Sequence, residues 1–467
     1  MLDEQRTIAA VSGGTTPAGI CIVRMSGNEA CEIADRVFRG GKKCPRVQKM
    51  ATHTLHHGYI MEGDRPVDEV LLSVMRAPKS YTGEDVVEIN CHGGSMAAEK
   101  ILTLLLSAGA HIAEPGEFTR RAFMNGRMDL SRAEAVAEVI ASQNDFSLKA
   151  SVAQLSGAVS REVRALRTQL LDELAFIEAA LDDPEHYDTE GYGEALLQKL
   201  QPLMERLKEL IDSAKDGSIL AAGIRTVIAG RPNAGKSSLL NLLSGHEKAI
   251  VTEIPGTTRD VLEVPVRLGE LSLVLMDTAG LRTSDDPVEK IGIRRAEEAI
   301  ENADLVLYLT DLTEGLQEED LSVLAGIRES KKPLVLLFNK KDLLDGEIPP
   351  EIRPEASALL KDVLCLPFSA LTGEGKDALT AEIRRIFHAD RFSDGSALAI
   401  TSARQHALFQ EALAALLKTQ EGIMEGATED LLAVDLTDAY RALGEIIGEE
   451  TGDDVIDRVF EKFCMGK

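Results

Sequence analysis

The chain has 467 residues, 44% of them hydrophobic and 27% charged, a globular composition that excludes disordered and collagen-like proteins. Its length predicts about two to four domains. The 51 basic and 77 acidic residues give a formal net charge of −26, which repels polyanions at long range, so a nucleic-acid site would need a local basic patch. The first residues lack a signal-peptide pattern, and no run approaches the ~20 apolar residues of a membrane span. We therefore expect a cytoplasmic protein without a membrane segment.

Cysteine and histidine usage gives no clear metal or disulfide pattern. The six cysteines include no C-x-x-C pair, which disfavours a disulfide framework and a structural zinc site and favours a reducing compartment. The remaining candidates for a metal site are four histidines in a loop-like stretch and beside an H-G-G turn, namely His53, His56, His57 and His92. We do not expect them to bind a metal.

The pattern of apolar residues divides the chain into four parts. Residues 1–126 mix β-branched runs with glycine-rich turns and one helical stretch near 95–108, which predicts an α/β unit. Residues 127–218 and 388–467 repeat apolar residues at three- and four-residue spacing, which predicts amphipathic helices. In residues 219–387, apolar runs alternate with helical segments, as in a mostly parallel sheet with helices on both faces.

These parts predict a multi-domain α/β and all-α fold. The second and fourth parts do not look self-sufficient, so we expect them to form one helical domain into which the α/β domain is inserted. No repeat of 20 to 50 residues is visible.

A phosphate-binding loop opens the inserted domain. Residues 230–238 read G-R-P-N-A-G-K-S-S and match G-x-x-x-x-G-K-[S/T] between a predicted strand and a helix. The glycines let backbone N–H groups turn toward phosphates, and the helix N-terminus adds its dipole. Lys236 would neutralise the β and γ oxygens, and the Ser237 hydroxyl would bind Mg²⁺. The alternative is a glycine-rich turn before a surface helix. The predicted contacts in this loop are Asn233, Ala234, Gly235, Lys236, Ser237 and Ser238.

Two further motifs follow in the order that a GTPase requires. G-T-T-R-D at 256–260 offers Thr258 as the γ-phosphate sensor that also binds Mg²⁺. D-T-A-G at 277–280 follows an apolar run, so Asp277 can hold the water shell of the metal and the Gly280 N–H can reach the γ-phosphate. Thr278 and Ala279 complete the predicted contacts of this motif.

The last two motifs predict the base. N-K-K-D at 339–342 and S-A-L at 369–371 each follow an apolar run, and the predicted contacts are Asn339, Lys340, Asp342, Ser369 and Ala370. Asp342 can accept hydrogen bonds from guanine N1–H and the 2-amino group. Adenine lacks these donors and would leave the carboxylate unpaired, so the predicted nucleotide is GTP.

One expected residue is missing. Many small GTPases place a glutamine after D-x-x-G to orient the attacking water, but Leu281 stands here. The Asn233 side-chain carbonyl is a candidate ligand for a monovalent cation, whose charge would act where an arginine finger otherwise does. Glu289 could order the water, and the alternative for Glu289 is a solvated carboxylate at the start of a helix.

Several stretches together resemble one family. They are G-R-P-N-A-G-K-S-S-L-L-N, P-G-T-T-R-D, D-T-A-G-L-R, S-Y-T-G-E-D-V-V-E-I-N-C-H-G-G, P-G-E-F-T-R-R-A-F-M-N-G-R-M-D-L and the ending F-C-M-G-K. Many GTPases share the nucleotide-binding motifs, whereas the N-terminal stretches and the tail are more particular. On these residues the chain resembles, along essentially its whole length, the MnmE (TrmE) family of tRNA modification GTPases.

The resemblance implies a partner and a reaction. Such a protein forms a homodimer and joins a FAD-dependent partner, MnmG (GidA), in a heterotetramer. Together they install an aminomethyl or carboxymethylaminomethyl group on carbon 5 of the wobble uridine of certain tRNAs. The resemblance also implies stimulation by K⁺, with Asn233, Thr252, Ile254 and Thr257 as its ligands; Thr252 and Thr257 also belong to the implied GTP site. We expect the partner to make most of the tRNA contact.

The resemblance also implies a folate site near the N-terminal domain, for 5-formyl- or 5,10-methylenetetrahydrofolate. Glu88 would accept hydrogen bonds from the pterin ring, and Arg24, Arg127 and Lys467 would neutralise the glutamate tail. Taken singly, each of these is a surface charge. Cys464 would be the functional thiol of the tail, and its alternative is a small buried residue near a helix end.

Three positions depart from the family pattern. The early turn reads S-G-G-T-T-P-A-G-I instead of T-P-P-G-R-G-G-I-G-I, the common lysine of N-G-K-L-D-L is Arg127, and the tail reads C-M-G-K instead of C-I-G-K. The first departure affects the implied folate contacts, and none affects the GTPase motifs.

A second function class is a switch GTPase that acts on ribosomes, as the Era and EngA proteins do. Such proteins usually append an RNA-binding domain after the nucleotide domain. Residues 388–467 instead hold seven basic and 16 acidic residues with a helical period, which is a poor surface for a polyanion.

Overall fold

The structure is a computed structural model of the chain. It describes residues 6–13, 17–187, 191–245, 263–276, 299–343, 360–361, 363–393, 398–461, 463 and 466. The chain divides into two compact units. The first unit comprises residues 1–140, 153–203 and 411–467, and the second comprises residues 141–152 and 204–410.

The described residues contain the following helices and strands, numbered in chain order. The helices are α1 (Ala30–Val37), α2 (Ser95–Ser107), α3 (Glu117–Met124), α4 (Leu130–Ala141), α5 (Asp145–Leu155), α6 (Ala158–Asp182), α7 (Tyr192–Ala222), α8 (Lys236–Ser244), α9 (Glu318–Glu329), α10 (Lys376–Ile386), α11 (Asp390–Ser393), α12 (Ala403–Glu425), α13 (Glu429–Ile447) and α14 (Asp453–Phe460). The strands are β1 (Ile8–Ser12), β2 (Ile20–Ser26), β3 (Phe38–Gly40), β4 (Thr54–Glu62), β5 (Arg65–Met75), β6 (Val86–His92), β7 (His111–Ile112), β8 (Ile224–Gly230), β9 (Glu263–Leu268), β10 (Leu271–Met276), β11 (Leu305–Asp311), β12 (Leu334–Asn339) and β13 (Leu364–Pro367).

The first unit contains a seven-stranded sheet. Its order is β3-β4-β5-β6-β2-β1-β7, with antiparallel neighbours except for the parallel pair β1 and β7. Alternate residues of β2 such as Val23 and Met25 are buried, as expected for a strand with one covered face. They share a core with Ile33 of α1 and with Ile101 and Leu105 of α2.

The prediction that these histidines lie in a loop-like stretch is wrong for His56 and His57. His56 and His57 lie in β4, where exposed Leu55, His57 and Tyr59 alternate with buried Gly58 and Ile60. The sequence concealed this strand because glycine is disfavoured in strands and the apolar residues Leu55 and Tyr59 lie on the exposed face, so cross-strand packing decides the outcome here.

The helices on either side of the inserted domain pack together. In the first unit, α6 lies against α13, and Arg167 of α6 joins them. Its guanidinium contacts Glu449, lies 2.9 Å from Glu450 Oε1 and is centred 3.9 Å from the Tyr440 ring. Helices from the two predicted helical parts therefore pack against each other within the first unit, as the predicted insertion requires.

The second unit contains the predicted mostly parallel sheet. Its order is β13-β12-β11-β8-β10-β9, and only β9 and β10 pair antiparallel. All residues of β11 are buried, because apolar clusters cover both faces of the sheet, as is usual for parallel sheets. The five apolar runs expected to be strands are β8, β10, β11, β12 and β13, which confirms the α/β prediction.

Among the described residues, no helix combines the length and the apolar character needed to cross a membrane. The domain boundaries 1–126, 127–218, 219–387 and 388–467 stay a prediction.

Candidate functional site

The phosphate loop lies between β8 and α8, and its two glycines have positions that exclude other residues. Gly230 ends β8 with φ 140°, and a Cβ there would collide with the backbone carbonyl of Leu309 on β11. Gly235 precedes α8 with φ 100°, and a Cβ there would overlap the Asn339 amide. Asn233, between them, also has a left-handed backbone, with φ 63°. This tight turn fits a phosphate cradle that needs close approach of the backbone.

Lys236 is folded over the loop. Its Nζ donates hydrogen bonds to the carbonyl oxygens of Gly230 at 2.6 Å and Arg231 at 2.7 Å. Burial lowers the pKa of Lys236, because desolvation penalises the charged form. Phosphate oxygens in this position would compensate the ammonium charge better than two neutral carbonyl groups.

Asn339 joins three predicted motifs. This side chain is 2% exposed. Its Nδ2 donates to the Ala234 carbonyl at 2.7 Å, and its Oδ1 accepts from the Ala370 N–H at 2.8 Å. The phosphate loop, N-K-K-D and S-A-L therefore meet around one buried amide.

Asp342 and Ser369 form the predicted base-recognition end. Ser369 is fully buried, and its Oγ donates to Asp342 Oδ1 at 2.5 Å while it accepts from the Thr372 N–H at 3.1 Å. The Asp342 side chain itself is exposed. The hydrogen bond from Ser369 thus orients the Asp342 carboxylate, which remains accessible to a ligand.

Lys340 is oriented by a residue that the sequence did not indicate. Lys340 has φ 67°, and its Nζ lies 2.6 Å from Asp311 Oδ2 at the end of β11. Burial acts to raise the pKa of Asp311, but hydrogen bonds from Lys340 and Thr313 outweigh it and lower the pKa below its usual value. The available signal was an acidic residue at the carboxyl end of an apolar strand, where such sheets bind ligands.

A second unpredicted contact holds the phosphate loop itself. Arg231 Nε lies 3.2 and 3.0 Å from the two oxygens of Asp320, which is fully buried. Asp320 also accepts from the Tyr308 hydroxyl at 2.7 Å and from the Gln317 N–H at 2.8 Å, as part of the capping box of α9. The sequence signal was Q-E-E-D at a helix start, but nothing in it indicated Arg231 as the partner.

The described residues fit a bound guanine nucleotide. At the phosphate end, the glycine turn lets the backbone approach closely and Lys236 places its ammonium group at the loop. At the base end, the Asp342 carboxylate is exposed and oriented by Ser369. Ser237 and Ser238 are exposed in the first turn of α8. No group of three or more histidine, cysteine or acidic residues among the described positions could hold a metal. The predicted residues outside the described ones are Thr252, Ile254, Thr257, Thr258, Asp277, Thr278, Ala279, Gly280, Glu289, Cys464 and Lys467.

Arg24 and Glu88 are paired in the N-terminal sheet. They are register partners on β2 and β6, and Arg24 Nε and Nη2 lie 2.8 and 2.7 Å from Glu88 Oε1. The guanidinium of Arg24 lies 5.5 Å from the centre of the Tyr81 ring and 5.7 Å from that of Phe118. Its Nη1 is 3.5 Å from the Gly466 carbonyl oxygen. Gly466 of the predicted tail and two of the predicted folate residues therefore lie together.

Arg127 lies in the same unit and lines a cavity with Tyr81. Tyr81 thus borders both the Arg24 and the Arg127 side chains.

We predict that Arg231→Met raises the KM for GTP about tenfold and leaves kcat within about twofold. The variant loses the charge-assisted contacts to Asp320 that orient the loop, worth roughly 1.4 kcal/mol, and a change in uniform binding affects KM alone. Steady-state GTP hydrolysis measures both constants. Arg385→Met, which removes an exposed pair with Glu382, is the control and should change neither. An unchanged KM for Arg231→Met would contradict the positioning role.

Two family models match the chain. The model of the MnmE helical domain matches residues 130–464, and that of the GTP-binding protein TrmE N-terminus matches residues 7–127. The curated tRNA modification GTPase MnmE of Lachnoclostridium phytofermentans is 44% identical over 99% of both chains. That of Carboxydothermus hydrogenoformans is 43% identical over 99% of both chains.

Among solved structures, Aquifex aeolicus Era bound to GDP and AlF4⁻ is 28% identical. It covers 35% of this chain and 56% of its own, with a TM-score of 0.28, which is too low to carry an argument. The family models and the near full-length identities show that the chain belongs to the MnmE (TrmE) family of tRNA modification GTPases.

Proposed function

We propose that this chain is a K⁺-stimulated GTP hydrolase that acts with a FAD-dependent MnmG (GidA) partner on the wobble uridine, U34, of certain tRNAs. The products are 5-carboxymethylaminomethyl- or 5-aminomethyluridine, and a tetrahydrofolate derivative supplies the one-carbon unit. The coarser function, a GTPase of tRNA modification, follows from family membership. The observation that carries the nucleotide part is the buried amide of Asn339, because it brings the three motifs into contact.

The phosphate end of the site acts by charge and position. When GTP binds, Lys236 exchanges its two carbonyl partners for β- and γ-phosphate oxygens, and the N-terminus of α8 adds its dipole. The Ser237 hydroxyl and Thr258 would hold Mg²⁺, which neutralises charge on the phosphates, and Asp277 would hold its water shell. The Gly280 N–H would contact the γ-phosphate, and Glu289 would order the attacking water.

The base end of the site discriminates by hydrogen bonding. Asp342 offers its carboxylate to guanine N1–H and the 2-amino group, and Ser369 keeps it in place. A base without these donors would leave the carboxylate without its partners, which costs about 1–3 kcal/mol or more for a charged group. We infer that Asp342 selects guanine.

We predict that Asp342→Asn weakens GTP binding roughly 30- to 150-fold, equivalent to about 2–3 kcal/mol. The same change should strengthen binding of xanthosine triphosphate, because the new amide can donate to the 2-oxo group of xanthine. Competition against a fluorescent GTP analogue measures both affinities. Asp377→Asn, an exposed acid at the start of α10, should leave both unchanged. If Asp342→Asn kept the wild-type affinity for GTP, the guanine site would lie elsewhere.

A monovalent cation would supply the charge that other GTPases receive from an arginine finger. Two observations support this proposal. The first is that Leu281 cannot orient water as a glutamine does. The second is that Asn233 lies in the phosphate loop with a left-handed backbone and is exposed. We propose Asn233, Thr252, Ile254 and Thr257 as the K⁺ ligands.

We predict that replacing KCl by NaCl at equal ionic strength slows GTP turnover about tenfold or more, as loss of one charge on the transition state would. Asn233→Ala should abolish the difference between the two salts, because the side-chain ligand is gone. Asn241→Ala, an exposed asparagine of α8, should preserve it. Equal rates in both salts for the wild-type chain would remove the cation from the mechanism.

We place the one-carbon chemistry in the N-terminal part of the chain. Glu88, held by Arg24, would accept hydrogen bonds from the pterin, and Arg127 and Lys467 would neutralise the glutamate tail. The proximity of Gly466 to Arg24 supports a role for the tail that carries Cys464, which we propose as its functional thiol. Residues 1–126 would bind folate and form the homodimer, residues 127–218 and 388–467 the helical domain, and residues 219–387 the GTPase domain.

The tRNA is proposed to contact mainly the partner in a heterotetramer in the cytoplasm. The net charge of −26 supports this, since a strongly acidic chain repels a polyanion at long range.

Mass spectrometry of tRNA nucleosides from cells that lack the gene tests the whole proposal. We expect loss of the 5-substituted wobble uridines, restoration by the wild-type gene, and no restoration by a gene that carries Asp342→Asn. Unchanged wobble nucleosides, together with a ribosome assembly defect, would favour the switch GTPase instead.

A further inference from the structure

A cavity in the first unit shares Tyr81 with the surroundings of Arg24, and its lining includes Lys79 and Arg127, of which the proposed function uses only Arg127. It has a volume of about 360 Å³ and is lined by His53, Met75, Lys79, Ser80, Tyr81 and Arg127. This volume is within the range of small-molecule sites, roughly 300–1,000 Å³. All six residues belong to the first unit.

Two cations of the lining have no counter-ion among the residues that the structure describes. Neither the Lys79 ammonium nor the Arg127 guanidinium forms an ion pair or a side-chain hydrogen bond with any residue that the structure describes. Both side chains are exposed at the cavity. His53 adds a third nitrogen-bearing side chain, whose ring Nδ1 lies 2.8 Å from the Thr52 hydroxyl. Such a lining attracts an anion with more than one negative group.

The backbone around the cavity holds the cations in place. Asn125 Nδ2 donates to the Thr82 carbonyl at 2.8 Å, which ties the segment after α3 to the 80–85 turn. The stem of Arg127 lies over Gly83, where φ is 83° and an added Cβ would be 3.4 Å from Arg127 Cγ. The aliphatic part of the Arg127 side chain is therefore supported by packing against Gly83.

Tyr81 connects this cavity with the proposed pterin residues. Its ring borders the cavity and also carries the Arg24 guanidinium 5.5 Å from its centre. Its hydroxyl is within 2.8 Å of Thr119 Oγ1, which fixes the ring. A ligand whose head lies at Arg24 and Glu88 could pass Tyr81 and place its tail at Lys79 and Arg127.

We propose that this cavity binds the γ-linked glutamate chain of a polyglutamylated reduced folate, with Lys79 as a residue that discriminates tail length. A monoglutamate already carries two neighbouring carboxylates, and each added glutamate brings one more carboxylate further along the chain. With the first glutamate at Arg127, a longer tail can therefore also reach Lys79. Because this proposal rests on the proposed folate role, the test must separate the two. Binding of the folate monoglutamate tests the folate role. The ratio of the affinity for a polyglutamate to the affinity for the monoglutamate tests the tail site.

Calorimetric titration of the full chain with 5-formyltetrahydrofolate and its triglutamate tests the proposal. We expect the triglutamate to bind about tenfold more tightly at low salt, the effect of roughly one charge-assisted contact, and the ratio to shrink as salt screens the exposed charges. Lys79→Ala should reduce the ratio to about one and leave monoglutamate binding unchanged. Lys79→Arg should retain the ratio, and Lys42→Ala, an exposed lysine of the same unit outside the lining, should also retain it.

Three results would overturn the proposal in distinguishable ways. Equal affinity of the wild-type chain for the two folates would remove the tail site and keep the folate role. No binding of the monoglutamate would refute the folate role, and the tail site with it. If Lys79→Ala weakened tRNA binding and left the folate ratio intact, these cations would serve phosphates instead.

Discussion

The buried side-chain amide of Asn339 is the contact on which the predicted nucleotide site depends. One side of the amide donates to the predicted phosphate loop at Ala234, and the other accepts from Ala370 in the predicted base-recognition motif. The amide offers a donor and an acceptor on two separate atoms of one short side chain, so an aspartate or leucine would leave a buried backbone group unpaired, at about 1–3 kcal/mol.

Two charged contacts stabilise the segments that the Asn339 amide connects. Arg231 binds the buried Asp320 beyond β11, and Lys340 binds Asp311 at the end of β11. The phosphate loop, which contains Arg231, and N-K-K-D, which contains Lys340, each follow a parallel strand. The carboxyl ends of these strands meet at one edge of the sheet, which is where α/β sheets bind ligands. Each charge is partly withdrawn from water, so its contact is less screened than a surface pair. The loop is therefore held in shape before any nucleotide arrives.

Much of this architecture was predictable, because the information is local. Long apolar runs such as β11 and β12, the glycine-lysine loop and the helical spacing of α6 are each visible in a short window. β4 was missed because Gly58 lies within it and the apolar residues Leu55 and Tyr59 lie on its exposed face. β3 and β7 were missed because they have only three and two residues. Contacts between distant residues left no local signal. Arg231 and Asp320 are 89 positions apart, and the opposition of Arg24 and Glu88 depends on strand register, which a single sequence does not reveal.

The contact between Gly466 and the N-terminal sheet bears on how the chain matures. Its carbonyl oxygen accepts from Ser12 Oγ at 2.8 Å and lies near Arg24, residues separated from it by 454 and 442 positions. During translation, the sheet can fold while hundreds of residues are still to be added, since domains fold as they emerge. The corner that contains Gly466 forms only after the intervening domain has left the ribosome, and closing so long a loop is slow. The N-terminal sheet therefore acquires its last described contacts only when translation has passed residue 466.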